Sequence, residues 1–170
     1  VWTLSLAMVD GWQRGLAGRL TTRHEYLSEV GGVTDLPATV AGFTGRILDG
    51  QPDAWTTHVA GHPPGALLVF VGLDRVGLGG GGWAALGCVL VGASATVSVT
   101  LTLWRLAGAP VARAAAPFLV LFPGAVWVGA SADGLFTGVA AAGVATLATA
   151  TGRRGLAGPA VALAAGGLLG

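Results

Sequence analysis

An apolar run without a charged residue extends from Trp83 to Trp104, and it constrains the fold more than any other feature of the chain. A helix needs about 20 mainly apolar residues to cross the hydrocarbon core of a bilayer. Tryptophan at both ends of the run suits the two membrane interfaces. The run therefore predicts a transmembrane helix that ends before Arg105.

The composition of the whole chain agrees with a membrane protein. The sequence is 53% hydrophobic and 10% charged, and its mean hydropathy is +0.72. Soluble domains carry about 25% charged residues, so the composition argues against a soluble enzyme. A net charge of +1 without any lysine argues against a nucleic-acid-binding protein. The apolar content excludes disorder, and we predict an all-α integral membrane protein.

The charged residues are concentrated in the first half of the chain. Residues 1–82 contain twelve of the seventeen charged residues and all three histidines. We therefore predict a polar outward segment, 10–82, followed by membrane helices in 83–170. The single cysteine, Cys88, lies in an apolar stretch and is predicted to be a buried thiol, with no disulfide or metal role.

Further apolar runs predict a polytopic transmembrane bundle. The predicted membrane segments are the end of a first helix at 1–9, then 83–104, 114–132, 134–151 and a truncated helix at 156–170. Pro117 and Pro123 are predicted to interrupt the span 114–132 mildly. The loop 105–113 and the turn 152–155 contain arginine but no acid, so both are predicted to be cytoplasmic. Asp133 and the segment 10–82 then lie on the extracytoplasmic side of a multi-pass plasma-membrane protein.

The outward segment is predicted to contain interfacial helices. Thr22 and Glu25 have the spacing of a capping box, which predicts a short helix over 23–30. An apolar stripe of helical period predicts an amphipathic helix over 37–48 that lies on the membrane, although a soluble domain would show the same stripe. The apolar run 66–78 is short for a span and predicts a surface or re-entrant helix. If it crossed the membrane instead, the topology after it would be inverted.

Nine polar residues are candidate site residues because of their chemistry and position. They are Asp10, Arg19, Arg23, His24, Glu25, Tyr26, His58, His62 and Asp133. Asp10 follows an apolar segment, where an acid is either a solvated helix-end residue or a functional carboxylate. Asp133 is followed by glycine and is equally explained as a turn residue. His58 and His62 have metal-pair spacing, but no HExxH glutamate accompanies them and Gly61 opposes a helix, so a zinc protease is disfavoured.

Together these features resemble the GT-C superfamily of membrane glycosyltransferases, and above all the protein O-mannosyltransferases and aminoarabinose transferases. The mannosyltransferases carry His-Pro-Pro-Leu in their first outward loop, and here His-Pro-Pro-Gly begins at His62. They carry an acid after the first span, here Asp10, and the aminoarabinose enzymes carry another between later spans, here Asp133. The chain departs from the mannosyltransferase pattern because glycine, not glutamate, follows Asp10, and Glu25 could share its role. Large actinobacterial membrane proteins have similar Gly-His-Pro-Pro-Gly and Ser-Ala-Asp segments.

The resemblance implies transfer of a sugar from a polyprenyl-phosphate donor to a glycan, lipid or protein acceptor at the outer membrane face. It makes Asp10, Glu25 and His62 the expected catalytic residues, with Asp10 as the base. The expected substrate-binding residues are Arg19, Arg23, His24, Tyr26, His58 and Asp133. Arg19 or Arg23 would hold the phosphate. No cofactor is certain, and Asp10, His62 and Asp133 are candidate ligands for a divalent metal ion.

Two other classes of membrane protein stay open. A transporter or lipid flippase would have charges or broken helices at mid-membrane. The runs after Trp83 contain no internal charge, which counts against that class. A non-catalytic membrane assembly protein is the second alternative, and it leaves the histidine-rich outward segment without a purpose.

Overall fold

The computed structural model describes residues 1–151 and 157–169, and within these ranges it is entirely helical, without a strand. The α-helices are α1 (Trp2–Ala7), α2 (Leu27–Val30), α3 (Leu36–Gly42), α4 (Thr57–Ala60), α5 (Gly65–Arg75), α6 (Gly81–Ala107), α7 (Ala109–Val120), α8 (Ala132–Ala150) and α9 (Ala157–Leu169). Turns of 3-10 helix cover Met8–Asp10, Arg19–Thr21, Phe43–Arg46 and Pro123–Val126, and a π-helical turn covers Gln13–Ala17. The prediction of an all-α chain is confirmed.

Two helices in the described ranges, α6 and α8, have the length and apolar composition of membrane spans. α6 has 27 residues, so it is about 40 Å long. It contains the whole predicted run 83–104 and continues through Arg105 to Ala107. The predicted loop 105–113 is therefore wrong. The reversal needs only Gly108, whose φ of +86° favours glycine, and α7 then begins with Pro110 in its first turn.

The predicted span 114–132 is also wrong as a continuous helix. α7 has 12 residues and ends at Val120. Phe122, which precedes Pro123, is extended at φ −52° and ψ 120°, and a 3-10 turn follows it. Proline disfavours a helical conformation in the residue before it and has no N–H for the helical hydrogen-bond ladder. The sequence predicted only a mild interruption at Pro123, and the structure shows a full break there.

α8 forms close to the predicted span 134–151 and packs tightly against α6. Ser131 caps it, because its side chain accepts a hydrogen bond of 3.4 Å from the backbone N–H of Gly134. A Cβ atom at Gly138 would overlap the carbonyl group of Val91. The missing side chain therefore lets the two backbones approach, as small residues do between membrane helices.

The final apolar run forms α9, which packs against α8. It has 13 described residues, compared with the predicted helix 156–170. Arg153 and Arg154 lie outside the described residues, so the predicted cytoplasmic turn 152–155 stays a prediction.

The chain divides into two units. One contains residues 1–6 and 88–170, and the other contains residues 7–87. The second unit has a core of large apolar side chains from the turns after α1 and from α4 and α5. Its fully buried members are Leu16, Leu20, Tyr26, Val59, Leu67, Phe70 and Val71. In the first unit Cys88 is buried, as the sequence predicted.

Within the second unit the predicted helix over 23–30 is shortened to α2, Leu27–Val30. Residues 22–26 form turns, and no side chain caps α2, so the predicted capping box is wrong. The carboxylate of Glu25 instead contacts His58. The spacing alone could not reveal this competing partner, because it lies more than 30 residues along the chain.

The predicted helix over 37–48 forms as α3 followed by a 3-10 turn. Asp35 caps it, because its Oδ1 accepts a 3.0 Å hydrogen bond from the N–H of Ala38. The predicted apolar stripe is divided: Phe43 is buried, but Val40 and Ile47 are exposed. α5 begins at Gly65, directly after the proline pair, and ends at Arg75, three residues before the predicted end.

Candidate functional site

Six of the nine candidate residues are joined by contacts in the unit 7–87. We call this set the histidine cluster, and it consists of Arg23, His24, Glu25, Tyr26, His58 and His62. The first four come from the turns before α2, and the two others come from α4 and the residue before the proline pair. Sequence reasoning selected these residues one by one, but it did not predict which of them meet.

Backbone contacts hold the two halves of the histidine cluster together. The N–H of His58 donates to the carbonyl oxygen of His24 at 3.3 Å. One residue before α4, the N–H of Thr56 donates to Oε1 of Glu29 at 2.9 Å. α4 is a single turn that ends at Ala60 and is capped by Gly61, in agreement with the prediction that this region opposes a longer helix. His58 and His62 are therefore not two positions on one continuous helix.

A buried tyrosine anchors His62. Tyr26 is 1% exposed and packs against Phe70 of α5, with the ring centroids 5.4 Å apart. Its hydroxyl group lies 3.0 Å from Nδ1 of His62, so the buried phenol keeps a polar partner. Nδ1 also lies 2.9 Å from the carbonyl oxygen of His58. His62 therefore connects the core of the unit to α4.

The tautomer of His58 follows from its contacts. Its Nδ1 lies 3.0 Å from the carbonyl oxygen of His24 and 3.2 Å from Oε1 of Glu25. A carbonyl oxygen can only accept, so Nδ1 carries the proton and donates it. The lone pair of neutral His58 is then on Nε2, which has no hydrogen-bond partner among the described residues. The side chain is 48% exposed, so a substrate can reach it.

This arrangement has the chemistry of a general base. The His24 carbonyl oxygen accepts from Nδ1–H and fixes the ring, and the carboxylate of Glu25, 3.2 Å from Nδ1, stabilises the imidazolium formed when Nε2 takes a proton. Glu25 is well placed for that task, since its side chain is only 21% exposed. The pair His58–Glu25 can therefore accept a proton from a hydroxyl group that approaches from solvent.

Arg23 and His24 form the polar edge of the histidine cluster. Nε–H of Arg23 donates to Nε2 of His24 at 2.8 Å, so His24 accepts with this nitrogen and is neutral in this arrangement. The other guanidinium N–H groups of Arg23 make no hydrogen bond or ion pair within the described ranges. The exposed fork can therefore bind an anion such as a phosphate.

Three candidate residues are not members of the histidine cluster. Asp10 and Arg19 are exposed, and their side chains make no hydrogen bond or ion pair to any described residue. Asp133 belongs to the other unit and is exposed in the first turn of α8, where an acid interacts favourably with the helix dipole. Nothing in these surroundings orients Asp10, and its expected role as the base stays a prediction.

A second polar cluster, which sequence reasoning missed, surrounds Trp55. The guanidinium carbon of Arg46 lies 3.4 Å from the centre of a Trp55 ring, and Phe43 stacks on Trp55 with centroids 5.3 Å apart. Nε1–H of Trp55 donates to the carbonyl oxygen of Phe43 at 2.9 Å. Arg46 also lies 3.8 Å from Glu29. Together with Asp35, Arg46 and Trp55 line a pocket of about 240 Å³.

The same unit contains a larger pocket of about 330 Å³ beside α2 and α5. Its lining is mainly apolar and includes Leu27, Val30, Phe70 and Leu73, with Asp74 among the polar residues. Phe70 thus separates this pocket from Tyr26 and the histidine cluster.

The described residues do not assemble a metal site. No group of three or more His, Cys, Asp and Glu side chains within 1–151 and 157–169 is arranged to hold a metal ion. Glu25 and His58 contact each other, but two side chains are fewer than such a group requires. The role of Asp10, His62 and Asp133 as metal ligands stays a prediction.

Six candidate residues form the histidine cluster, and two helices of the ranges 1–151 and 157–169 have the length and composition of membrane spans. No protein-family model matches the chain, and no curated protein or solved structure shows detectable similarity to it.

Proposed function

We propose that the chain functions in a membrane glycosyltransferase that moves a sugar from a polyprenyl-phosphate donor to an acceptor at the extracytoplasmic face. The observation that carries this proposal is the geometry of His58. Its Nδ1 donates to the His24 carbonyl oxygen and lies 3.2 Å from Oε1 of Glu25, and its Nε2 keeps a lone pair on an accessible ring. That is the arrangement required to remove a proton from an acceptor hydroxyl group.

The proposed reaction is a displacement at the anomeric carbon of the sugar. Nε2 of His58 accepts the proton of the acceptor hydroxyl, and the acceptor oxygen forms the new bond to the anomeric carbon. The bond between that carbon and the phosphate oxygen breaks, and its electron pair leaves with the lipid phosphate. The negative charge of Glu25 stabilises the imidazolium that results. The base is thus His58, expected from the sequence as a substrate-binding residue, rather than Asp10.

The departing phosphate needs positive charge. Arg23 is a member of the histidine cluster and has guanidinium N–H groups without partners among the described residues. Arginine is well suited to this task because its planar fork can donate two hydrogen bonds to one phosphate. Arg19 is exposed at the start of the preceding 3-10 turn and is a second candidate. Tyr26 and His62 are positioning residues, since they fix the turn that carries His58.

The membrane part of the proposal is supported by α6 and α8. Both helices are long and apolar, and their charged residues, Arg105 and Asp133, lie near their ends. A transporter would be expected to place charges inside such helices. In the proposed topology these helices cross the plasma membrane, further apolar helices complete a polytopic bundle, and residues 10–82 face the outside.

The experiment that tests the function is a transfer assay with the chain reconstituted in liposomes. Polyprenyl-phosphate-linked mannose and aminoarabinose are the donor probes, and the readouts are donor binding and release of the lipid phosphate. His58→Gln should reduce turnover about 10²- to 10⁴-fold, as loss of a general base does, with little change in donor binding. Arg23→Gln should weaken donor binding.

The controls distinguish the two candidate bases. Asp49→Asn changes an exposed carboxylate that bonds only its neighbour's backbone, Gly50, and should leave turnover unchanged. If Asp10→Asn abolishes transfer while Glu25→Gln and His58→Gln do not, Asp10 is the base and the assignment to His58 is wrong. Absence of both donor binding and transfer in the unmodified chain would refute the glycosyltransferase proposal itself.

A further inference from the structure

A groove lies between α6 and α7 in the unit formed by residues 1–6 and 88–170. It has a volume of about 440 Å³, and Leu101 and Trp104 contribute to its α6 wall. Ala109, Ala112 and Ala116 line its α7 side. These alanines recur at spacings of three and four, so they lie on one face of α7. Because their side chains are small, the space between the two helices stays open.

The surface of this groove is almost entirely hydrocarbon. The hydroxyl group of Thr100 donates to the carbonyl oxygen of Thr96 at 2.7 Å, and that of Thr96 donates to the carbonyl oxygen of Leu119 at 3.4 Å. Both threonines therefore satisfy their polar atoms on the backbone. An occupant of the groove would meet carbon, and burial of an apolar chain there would be favourable.

Positive charge is concentrated where α6 ends and α7 begins. Arg113 lines the groove, and Arg105 lies over the ring of Trp104, with its guanidinium carbon 4.9 Å from the ring centroid. Neither arginine makes a salt bridge to a described residue. The sequence has no acid between Asp74 and Asp133, so nothing nearby in the chain neutralises them. An anionic group beside the apolar groove would therefore be attracted to this end.

We propose that this groove binds one acyl chain of an anionic phospholipid, whose phosphate is held by Arg113 and Arg105. Trp104 would lie at the level of the headgroups, where tryptophan side chains are enriched. The inference rests on the proposed membrane location of α6, but it does not depend on sugar transfer. The occupant is a lipid because the apolar groove and the adjacent cationic end match a molecule with an acyl chain and a phosphate.

The test uses the full chain in lipid nanodiscs that contain brominated phosphatidylglycerol or brominated phosphatidylcholine. Bromine quenches a nearby indole, and subtraction of the signal of a Trp104→Phe variant isolates the contribution of Trp104. We expect quenching at lower mole fractions of phosphatidylglycerol than of phosphatidylcholine. Arg113→Gln should reduce this preference about fivefold, which is the effect of one basic residue near an anionic surface. Arg113→Lys should retain most of it.

A matched pair of alanine variants tests the groove itself. Ala116→Phe fills the groove and should remove the quenching of Trp104 by either lipid. Ala114→Phe adds the same side chain at an exposed position of α7 and should not. Equal effects of the two variants, or an unchanged lipid preference in Arg113→Gln, would overturn the lipid site alone. Failure of the chain to enter the bilayer would instead refute the membrane location on which the proposal rests.

Discussion

Replacement of Phe70 should loosen the whole unit 7–87 and, with it, the histidine cluster. Phe70 is 2% exposed and is in ring contact with Tyr26, which in turn contacts His62. Truncation of a buried phenylalanine to alanine costs about 3–5 kcal/mol, because apolar burial is lost and a cavity remains. That is a large fraction of the roughly 5–15 kcal/mol that stabilises a typical domain.

The neighbouring residue provides the control for this change. Val69 is 44% exposed in the same helix, and Val69→Ala should change stability by about 0.5 kcal/mol or less. Hydrogen exchange of the α2 and α4 amides, measured by mass spectrometry on the detergent-solubilised chain, reports the free energy of local opening. We expect a fall of about 3 kcal/mol or more for Phe70→Ala. A difference of less than 1 kcal/mol between the two variants would refute the packing on which the histidine cluster depends.

Three further predictions concern other parts of the chain. Gly138→Ala should lower the free energy of unfolding of the solubilised chain by about 1–3 kcal/mol, because the added Cβ overlaps the Val91 carbonyl group. Gly72→Ala, with open space around it, should not. Equal melting temperatures of the two variants would contradict the close approach of α6 and α8. Arg46→Ala should cost about 0.5–1 kcal/mol and change the fluorescence of Trp55, and an unchanged spectrum would exclude the cation–π contact. Asp35→Ala should remove the cap of α3 at a cost of about 0.5–2 kcal/mol, and Asp35→Asn should retain most of it, as measured by chemical unfolding; equal losses would show that the side chain does not cap the helix.

Sequence reasoning identified the long helices because their signal is contained in local composition. α6 follows from an uncharged run of sufficient length, and α8 follows from another that begins next to a turn signal. The break after α7 was predicted only as a mild interruption, because an apolar count does not register how strongly Pro123 restricts the backbone before it. Gly108 shortens the expected loop to a single residue for a related reason, since a positive φ allows an abrupt reversal.

The sequence predicted which residues belong to the candidate site, but not which of them contact each other. Histidines such as His58 and His62 are easily noticed in a sequence. The contact between His58 and Glu25, however, joins residues more than 30 positions apart and forms only when the chain folds back. The spacing of Thr22 and Glu25 fits a capping box, and only the folded chain reveals that Glu25 has another partner. The Arg46–Trp55 contact was missed for the same reason, because it requires the turn at Gly50 to bring two segments together.

The protonation state of His58 tests the central claim most directly. Nitrogen-15 NMR of the histidine-labelled chain distinguishes the two neutral tautomers and the imidazolium. The proposed mechanism predicts that the neutral ring carries its proton on Nδ1, which donates to the His24 carbonyl oxygen and lies beside Glu25. A neutral ring with its proton on Nε2 in the unmodified chain would contradict it, because the nitrogen facing the acceptor would then have no lone pair to offer.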